Sequence, residues 1–364
     1  MRIVHQTEMG AGLRGRSSGR QVQAANISGY TPRSPTLASS HEVEGQKPLE
    51  QSSRARHWIV RGIPLAVLGL AIWAAYHELR TYRLTDITGS LSSFPPDTLI
   101  AAIALTTLGH LVHVGYDVLA LRYAKHPLPW RRTVFGSLIT YSVSAVTGFT
   151  GMIGASLRYR FWSAWGVSTS QIVRGISFAA LTAGLGASVT AAAALTWDPA
   201  ALSLASGVPA GALRVIGVAL SAVTAAYLVA CATIRGPLTL RRVCLALPAP
   251  GLGLLQVVVA ALDWTIAAGV FFVLLPSSSS LGFMSFLAIF LAAQVSGLLA
   301  HVPAGIGVFD AAILWLLRPF IAPPEAAAAL IAYRAVAYLL PFLVALPALG
   351  GYEARQGNAP LLRL

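Results

Sequence analysis

Charge is scarce in this chain. Only 11% of its 364 residues are Asp, Glu, Lys or Arg, while 55% are hydrophobic, a balance that a water-soluble fold of this length does not sustain. Acidic residues are scarcer still, 13 against 26 basic ones. Cysteine occurs twice, as Cys231 inside an apolar run and Cys244 near its basic flank, which excludes a disulfide framework and a cysteine-based metal site. A P-loop, a dinucleotide fingerprint and any Ser-His-Asp or Cys-His set are also missing. Residues 1–56, rich in Ser, Gly, Gln and Arg, contain no apolar stretch long enough for a signal-peptide core. They are expected to form a disordered basic tail.

What is present points to the bilayer as solvent. Mean hydropathy is +0.67, and apolar segments fall near 59–79, 98–121, 133–150, 168–197, 213–234, 251–275, 281–301 and 325–349. A spanning helix needs roughly 20 mostly apolar residues. Lipid leaves only helices or closed barrels as spanning structures, and long Ala- and Leu-rich runs exclude the alternating strands of a barrel. Two Gly-rich stretches, 151–166 and 303–320, do not fit a simple crossing. The expected fold is therefore an all-α polytopic transmembrane bundle with two re-entrant or broken helices. The membrane domain is placed at 57–352, with a short cytoplasmic tail at 353–364.

The formal charge of +13 raises the question of nucleic acid, but the basic residues sit in short loops between apolar runs. That pattern sets orientation in a membrane and attracts anionic headgroups. Arg54, Arg56 and Arg61, then Arg122, Lys125, Arg131 and Arg132, then Arg235, Arg241 and Arg242 mark the inside. The stretch 197–211 carries Asp198 without a basic residue before Arg214, and 276–282 is uncharged, so both are placed outside. The arrangement closes only if each Gly-rich stretch returns across part of the bilayer. Both termini are then cytoplasmic, in an inner or plasma membrane.

An order of features repeats. A helix with Asp117, one ending near Thr147, a break through Gly148, Gly151 and Gly154, then Arg158 and Arg174, is followed by a helix with Asp263, one ending near His301, a break through Pro303, Gly305 and Gly307, then Arg318 and Arg334. The two arginines of each set stand 16 residues apart. By the charge pattern the sets run in opposite senses. Paired breaks in inverted halves point to a transport site near the midplane, although the spacing is equally consistent with coincidence.

Several residues carry chemistry. Gly at a break admits unusual backbone angles and close approach, and the freed N–H groups of a restarted helix suit an anion; the competing reading is tight helix packing. Pro303 removes a donor and stops the incoming helix. Arg158 and Arg160 offer bidentate geometry to phosphate, or else snorkel to the interface as ordinary anchors. Arg334 lies in an apolar helix and either contacts lipid or pairs with Asp263 or Asp310. Asp117 and Asp263 are intramembrane carboxylates, expensive enough to be functional by default: they hold the arginines, take up a proton, or meet a cationic headgroup. His110, His113 and Asp117 share one helical face, which suits a metal, a proton relay or a packed polar face. The first is disfavoured by the absence of a zincin spacing, and no cofactor is expected.

At IGASLRYRFWSAWGVS (153–168) and HVPAGIGVFD (301–310), supported by GYDVLALRY (115–123) and YRAVAYLLP (333–341), the chain resembles the transmembrane region of the lysylphosphatidylglycerol synthase/flippase family, the multiple peptide resistance factors. The family's second motif usually reads Pro-Gly-Gly-x-Gly-x-x-Glu; Ala304 and Asp310 depart from it. The resemblance covers most of 59–350 and implies lipid translocation. Family members with synthase activity carry a cytosolic acyltransferase-like domain after the membrane part, and the chain stops at Leu364, so the expectation is a flippase without its phosphatidylglycerol lysyltransferase. Its ligand would be an anionic or aminoacylated phospholipid such as lysylphosphatidylglycerol. Such a headgroup carries both signs of charge, and arginines for phosphate with carboxylates for ammonium would match it. The alternatives are a membrane component of aminoacyl-phospholipid synthesis working with a separate cytosolic synthase, and a metal-assisted hydrolase built on His110, His113 and Asp117. No nucleic acid is expected to bind directly.

Overall fold

The structure, a computed structural model, describes residues 94–147, 150–234, 236, 238–240, 243–245, 247–277, 279–299 and 308–357. The expected tail, the apolar segment at 59–79, Gly148 and the break through Pro303, Gly305 and Gly307 lie outside these residues. The described chain runs α1 (Pro96–Tyr123), α2 (Trp130–Thr147), α3 (Thr150–Ala164), α4 (Thr169–Trp197), α5 (Ala200–Ser206), α6 (Ala210–Thr233), a two-stranded ribbon β1 (Leu238–Leu240) and β2 (Val243–Leu245), α7 (Pro250–Val273), α8 (Phe283–Leu299), α9 (Val308–Leu317), α10 (Pro323–Arg334), a π-helical turn (Ala335–Leu339) and α11 (Leu340–Gly357).

Local chemistry explains the boundaries. Proline stands in the first turn of α1, α7 and α10, where its missing N–H has no intrahelical partner to lose. Ser168 and Gln171 close a reciprocal capping box at the start of α4. The turns before α4 and after α5 need left-handed backbone, supplied by Gly166 and Gly207 at φ 88 and 75. The short α5 lies within the segment read from sequence as an outside loop.

Among the described residues five helices are long and apolar enough to cross a membrane: α1, α4, α6, α7 and the continuous helix Pro323–Ala354. The other four principal helices are not. α3, α8 and α9 have 15, 17 and 10 residues, which at about 1.5 Å per residue fall short of a ~30 Å hydrocarbon core. α2 buries Thr133, Ser137, Thr140, Ser142 and Ser144, a polar face turned inward. Ser144 of α2 lies beside Gly154 of α3, and Gly136 lies against Trp165 and Phe161. The two helices thus run antiparallel, as a hairpin that enters and returns. α6 shows the opposite dressing, with Val215, Ile216, Val218, Val223 and Val229 exposed, as a lipid-facing helix requires.

α1 and α7 form the centre and are antiparallel. Gly115 meets Val259, Gly109 meets Ile266 and Gly269 meets Leu105. Exchanging α1, α2, α3 and α4 with α7, α8, α9 and the α10–α11 helix carries the main packing partners onto one another: α2 packs on α3 as α8 packs on α9, and α4 on α8 as α11 on α2. At one end Ser285 of α8 donates to Asp198 after α4; the matching contact is Phe135 of α2 against Tyr352 of α11. Two apolar cores result. One gathers the ends of α4 and α7 with α8, α9 and α10, the other α2, α3, the start of α4 and α11.

α4 and α7 approach closely, which Gly186 permits. A Cβ there would stand 2.6 Å from the Ala260 carbonyl oxygen and 2.7 Å from the Trp264 ring, inside van der Waals distance. Gln256 and Trp264 then tie the helices by donating to the Phe178 and Ala183 carbonyls. Gly186→Val is expected to destabilise the bundle by about 1–3 kcal/mol, measured as thermal unfolding in detergent. Gly184→Ala, where nothing lies within 4 Å, serves as the control and should leave the transition in place.

Candidate functional site

Between the two apolar cores lies a polar layer. On α1 the first core takes Ala102 and Leu105 and the second takes Leu119, Ala120 and Leu121; the residues between include Thr106, His110, His113, Tyr116 and Asp117, all buried. A helix turns every 3.6 residues, so His110, His113 and Asp117 keep one face toward the protein. α2 contributes Tyr141 and Ser142, α3 Arg158, and α7 Asp263. Tyr338, within the π turn, packs against both cores.

Asp117 is 1% exposed and receives the Arg158 Nε hydrogen at 2.7 Å. Its other oxygen, Oδ2, is buried without a hydrogen-bond partner among the described residues. Arg158 reaches it because residue 154 is glycine: a Cβ there would lie 3.2 Å from Arg158 Nη1. Gly151 and Gly154, expected at a helix break, instead lie inside α3, and Gly154 makes room for a guanidinium one turn on. Neither terminal nitrogen of Arg158 hydrogen-bonds to a described residue, so a donor pair and an acceptor oxygen stand side by side.

Asp263 is held differently. Tyr116 donates to its Oδ2 at 2.9 Å, and His113 Nδ1 lies 3.4 Å from its Oδ1. That nitrogen also faces the Gly109 carbonyl at 2.9 Å; a carbonyl only accepts, so Nδ1 carries the hydrogen. The His113 ring stacks on Tyr141 with centroids 3.3 Å apart and on Tyr116 at 5.4 Å. His110 follows the same logic, with Nδ1 on the Thr106 carbonyl and Nε2 toward Ser142 Oγ. His110, His113 and Asp117 therefore share a face but have separate partners, and among the described residues no three His, Cys, Asp or Glu side chains converge as a metal site.

A third ion pair stands in the other half. Arg334 donates to Asp310 Oδ1 from Nε at 3.1 Å and from Nη2 at 2.6 Å, the pairing with Asp310 that sequence had left open against Asp263. The π turn that follows has a local cause. Leu340 N–H bonds to the Ala335 carbonyl, and the next residue, Pro341, cannot donate and crowds the carbonyl four residues back. In a regular α-helix residues five apart point about 140° from each other; the wider turn instead brings the Tyr333 and Tyr338 hydroxyls to 3.4 Å and sets the Arg334 guanidinium 5.9 Å from the Tyr338 ring.

Arg160 does not join this layer. It donates to Glu353 of α11, beside the aromatic group of Phe135, Phe161, Trp165 and Tyr352. α11 accordingly continues through Glu353, where the sequence reading had begun a tail. Tyr333 and Tyr338 were visible in the sequence as flanking Arg334, but no tyrosine was expected in the site. A signal existed in their placement: Tyr116 adjoins Asp117, and Tyr333 and Tyr338 stand on either side of Arg334.

The Asp117–Arg158 contact is testable by a double-substitution cycle. Asp117→Leu and Arg158→Met singly each leave a buried, unpaired charge and are expected to cost about 3–5 kcal/mol. The double variant should recover most of that. Additive losses in thermal unfolding would show that the two side chains do not depend on each other.

Comparison with known proteins agrees with this architecture. The family described as the lysylphosphatidylglycerol synthase TM region matches residues 62–345. A Synechocystis protein named "Uncharacterized protein slr0712" is 31% identical over 287 residues, covering 79% of this chain and 89% of that protein. The inner membrane protein YbhN of Escherichia coli is 31% identical over 250 residues, 68% of this chain and 78% of that one. The phosphatidylglycerol lysyltransferase of Staphylococcus haemolyticus is 24% identical over 293 residues, which are 79% of this chain but 33% of the enzyme. Matched over most of its length and built as a polytopic helical bundle, the chain belongs to the family of the lysylphosphatidylglycerol synthase transmembrane region.

Proposed function

We propose that this membrane protein translocates a phospholipid with an anionic or aminoacylated headgroup between leaflets. The observation that carries the reading is the Asp117–Arg158 pair, where guanidinium nitrogens and a buried carboxylate oxygen, neither hydrogen-bonded among the described residues, adjoin. Such a pair offers hydrogen-bond donors to a phosphate and an acceptor to an ammonium group within one helix turn of each other. Asp263 and the Arg334–Asp310 pair extend the same chemistry into the second half. The hairpin α2–α3 and the short helices α8 and α9 are the movable parts, because none spans the bilayer alone and each rests on a half that the other mirrors. Basic loops on one side orient the chain with both termini in the cytoplasm of a cell membrane.

A second reading, a membrane component of aminoacyl-phospholipid synthesis, draws on the likeness to the staphylococcal lysyltransferases over about 31–33% of their length. It requires a cytosolic synthase that co-purifies and incorporates lysine from aminoacyl-tRNA.

Purified protein in phosphatidylcholine vesicles, carrying tail-labelled lysylphosphatidylglycerol, phosphatidylglycerol or phosphatidylcholine, separates these readings. Translocation of either of the first two well above protein-free vesicles is expected, with Arg158→Ala or Asp263→Asn lowering the rate at least tenfold, a loss of about 1.4 kcal/mol or more. Protein-free rates for every lipid sink the translocator; wild-type rates in both variants sink the site.

A further inference from the structure

The three intramembrane carboxylates do not have equivalent counter-charges. Asp117 faces Arg158 and Asp310 faces Arg334, and a guanidinium is charged at every physiological pH. Among the described residues Asp263 faces no arginine or lysine. Its partners are the Tyr116 hydroxyl and His113 Nδ1, and imidazole is the one side chain whose ordinary charge change falls between about pH 5 and 8. We propose that His113 and Asp263 form a proton-binding site at the centre of the bundle, through which proton uptake and release is coupled to movement of the lipid. The coupling rests on the translocator reading; the proton site does not.

The geometry narrows where the proton goes. Nδ1 already carries a hydrogen, held by the Gly109 carbonyl, so the exchangeable proton adds to Nε2 or to the Asp263 carboxylate. With the proton on Nε2, imidazolium and carboxylate neutralise each other across α1 and α7. Without it, a carboxylate in a lipid-excluded layer has only a hydroxyl donor, which is a poor arrangement in a low-dielectric interior. The two states therefore differ in how strongly α1 and α7 hold together at the axis that relates the halves.

Among the described residues, no arginine, lysine or further carboxylate is bonded to the pair. From α1, besides His113 and Tyr116, the neighbouring titratable group is His110; from α2 it is Tyr141, stacked on His113 and within electrostatic reach of Asp263. α4 presents Ala183 and Gly186 to this part of α7, neither of which titrates. Arg158 of α3 is within electrostatic reach of Tyr116 and bound to Asp117, and Tyr338 of the π turn is within electrostatic reach of Tyr141. From α6 the hydroxyl of Tyr227 meets Gln256 at 2.5 Å, two turns away, and Tyr333 of α10 stacks on Phe271, also two turns away.

The site is tested by nitrogen NMR of the full-length protein labelled at histidine, in nanodiscs of phosphatidylcholine and phosphatidylglycerol, with the His113 signal assigned by its loss in His113→Asn. His113 is expected to switch between imidazole and imidazolium between about pH 5 and 9, with a midpoint displaced by about one pH unit or more in Asp263→Asn. Tyr116→Phe, a milder change, should displace it by less. His113 fixed in one state across that range, or a midpoint indifferent to both substitutions, overturns the proton site whether or not lipid moves. In vesicles, an imposed pH gradient of either sign should change the initial rate of lipid translocation about tenfold. Equal rates would overturn the coupling while leaving translocation intact. Absence of lipid movement with a titrating His113 would overturn the translocator and leave the proton site standing.

Discussion

A charge in hydrocarbon must find its opposite, and in this bundle it finds it on another segment of the chain. A charged side chain at the bilayer centre costs at least about 2.5–3.5 kcal/mol if left to lipid. Asp117 of α1 takes Arg158 of α3, Asp263 of α7 takes His113 and Tyr116 of α1, and Asp310 of α9 takes Arg334 of α10. Each contact joins one of the short helices or the two central ones to a neighbour. The polar layer is thus a set of cross-ties as well as a candidate binding surface, and the apolar cores on either side of it settle around those ties. Where the ties stop, the outer faces turn to valine and isoleucine.

Glycine makes the layer possible by letting helices come close enough for short side chains to meet. Gly186 brings α4 onto the α7 backbone, Gly175 admits Trp162, and Gly154 opens the space that the Arg158 guanidinium fills. These are packing roles, not breaks in the backbone. The π turn after Arg334 acts on the other side of the molecule: by widening one turn ahead of Pro341 it aligns two tyrosines with the arginine that precedes it.

Much of this was legible beforehand because it follows from composition. Four of the five long crossings, at 98–121, 168–197, 213–234 and 251–275, coincide with helices of the structure to within a few residues, since apolar run length is the dominant signal in a bilayer. The fifth, at 325–349, runs on at its C-terminal end into α11, because Tyr352 packs in the aromatic group and Glu353 takes Arg160. α2 was readable as apolar but not as inward-polar: Ser and Thr weigh little in a hydropathy window, and only packing shows which way they face. The pairing of Arg158 with Asp117, 41 residues distant, depends on a hairpin fold-back that no local pattern encodes. His113 was visible as a member of a helical face, yet its partner sits 150 residues further on, on a helix that meets α1 only in three dimensions.

The antiparallel meeting of α1 and α7 has a last consequence. Halves that resemble each other in packing need not resemble each other in charge. Asp117 and Asp263 occupy matching helices but unlike company, a permanent cation for one and a histidine for the other, so a change of pH acts on one half and leaves the other as it was.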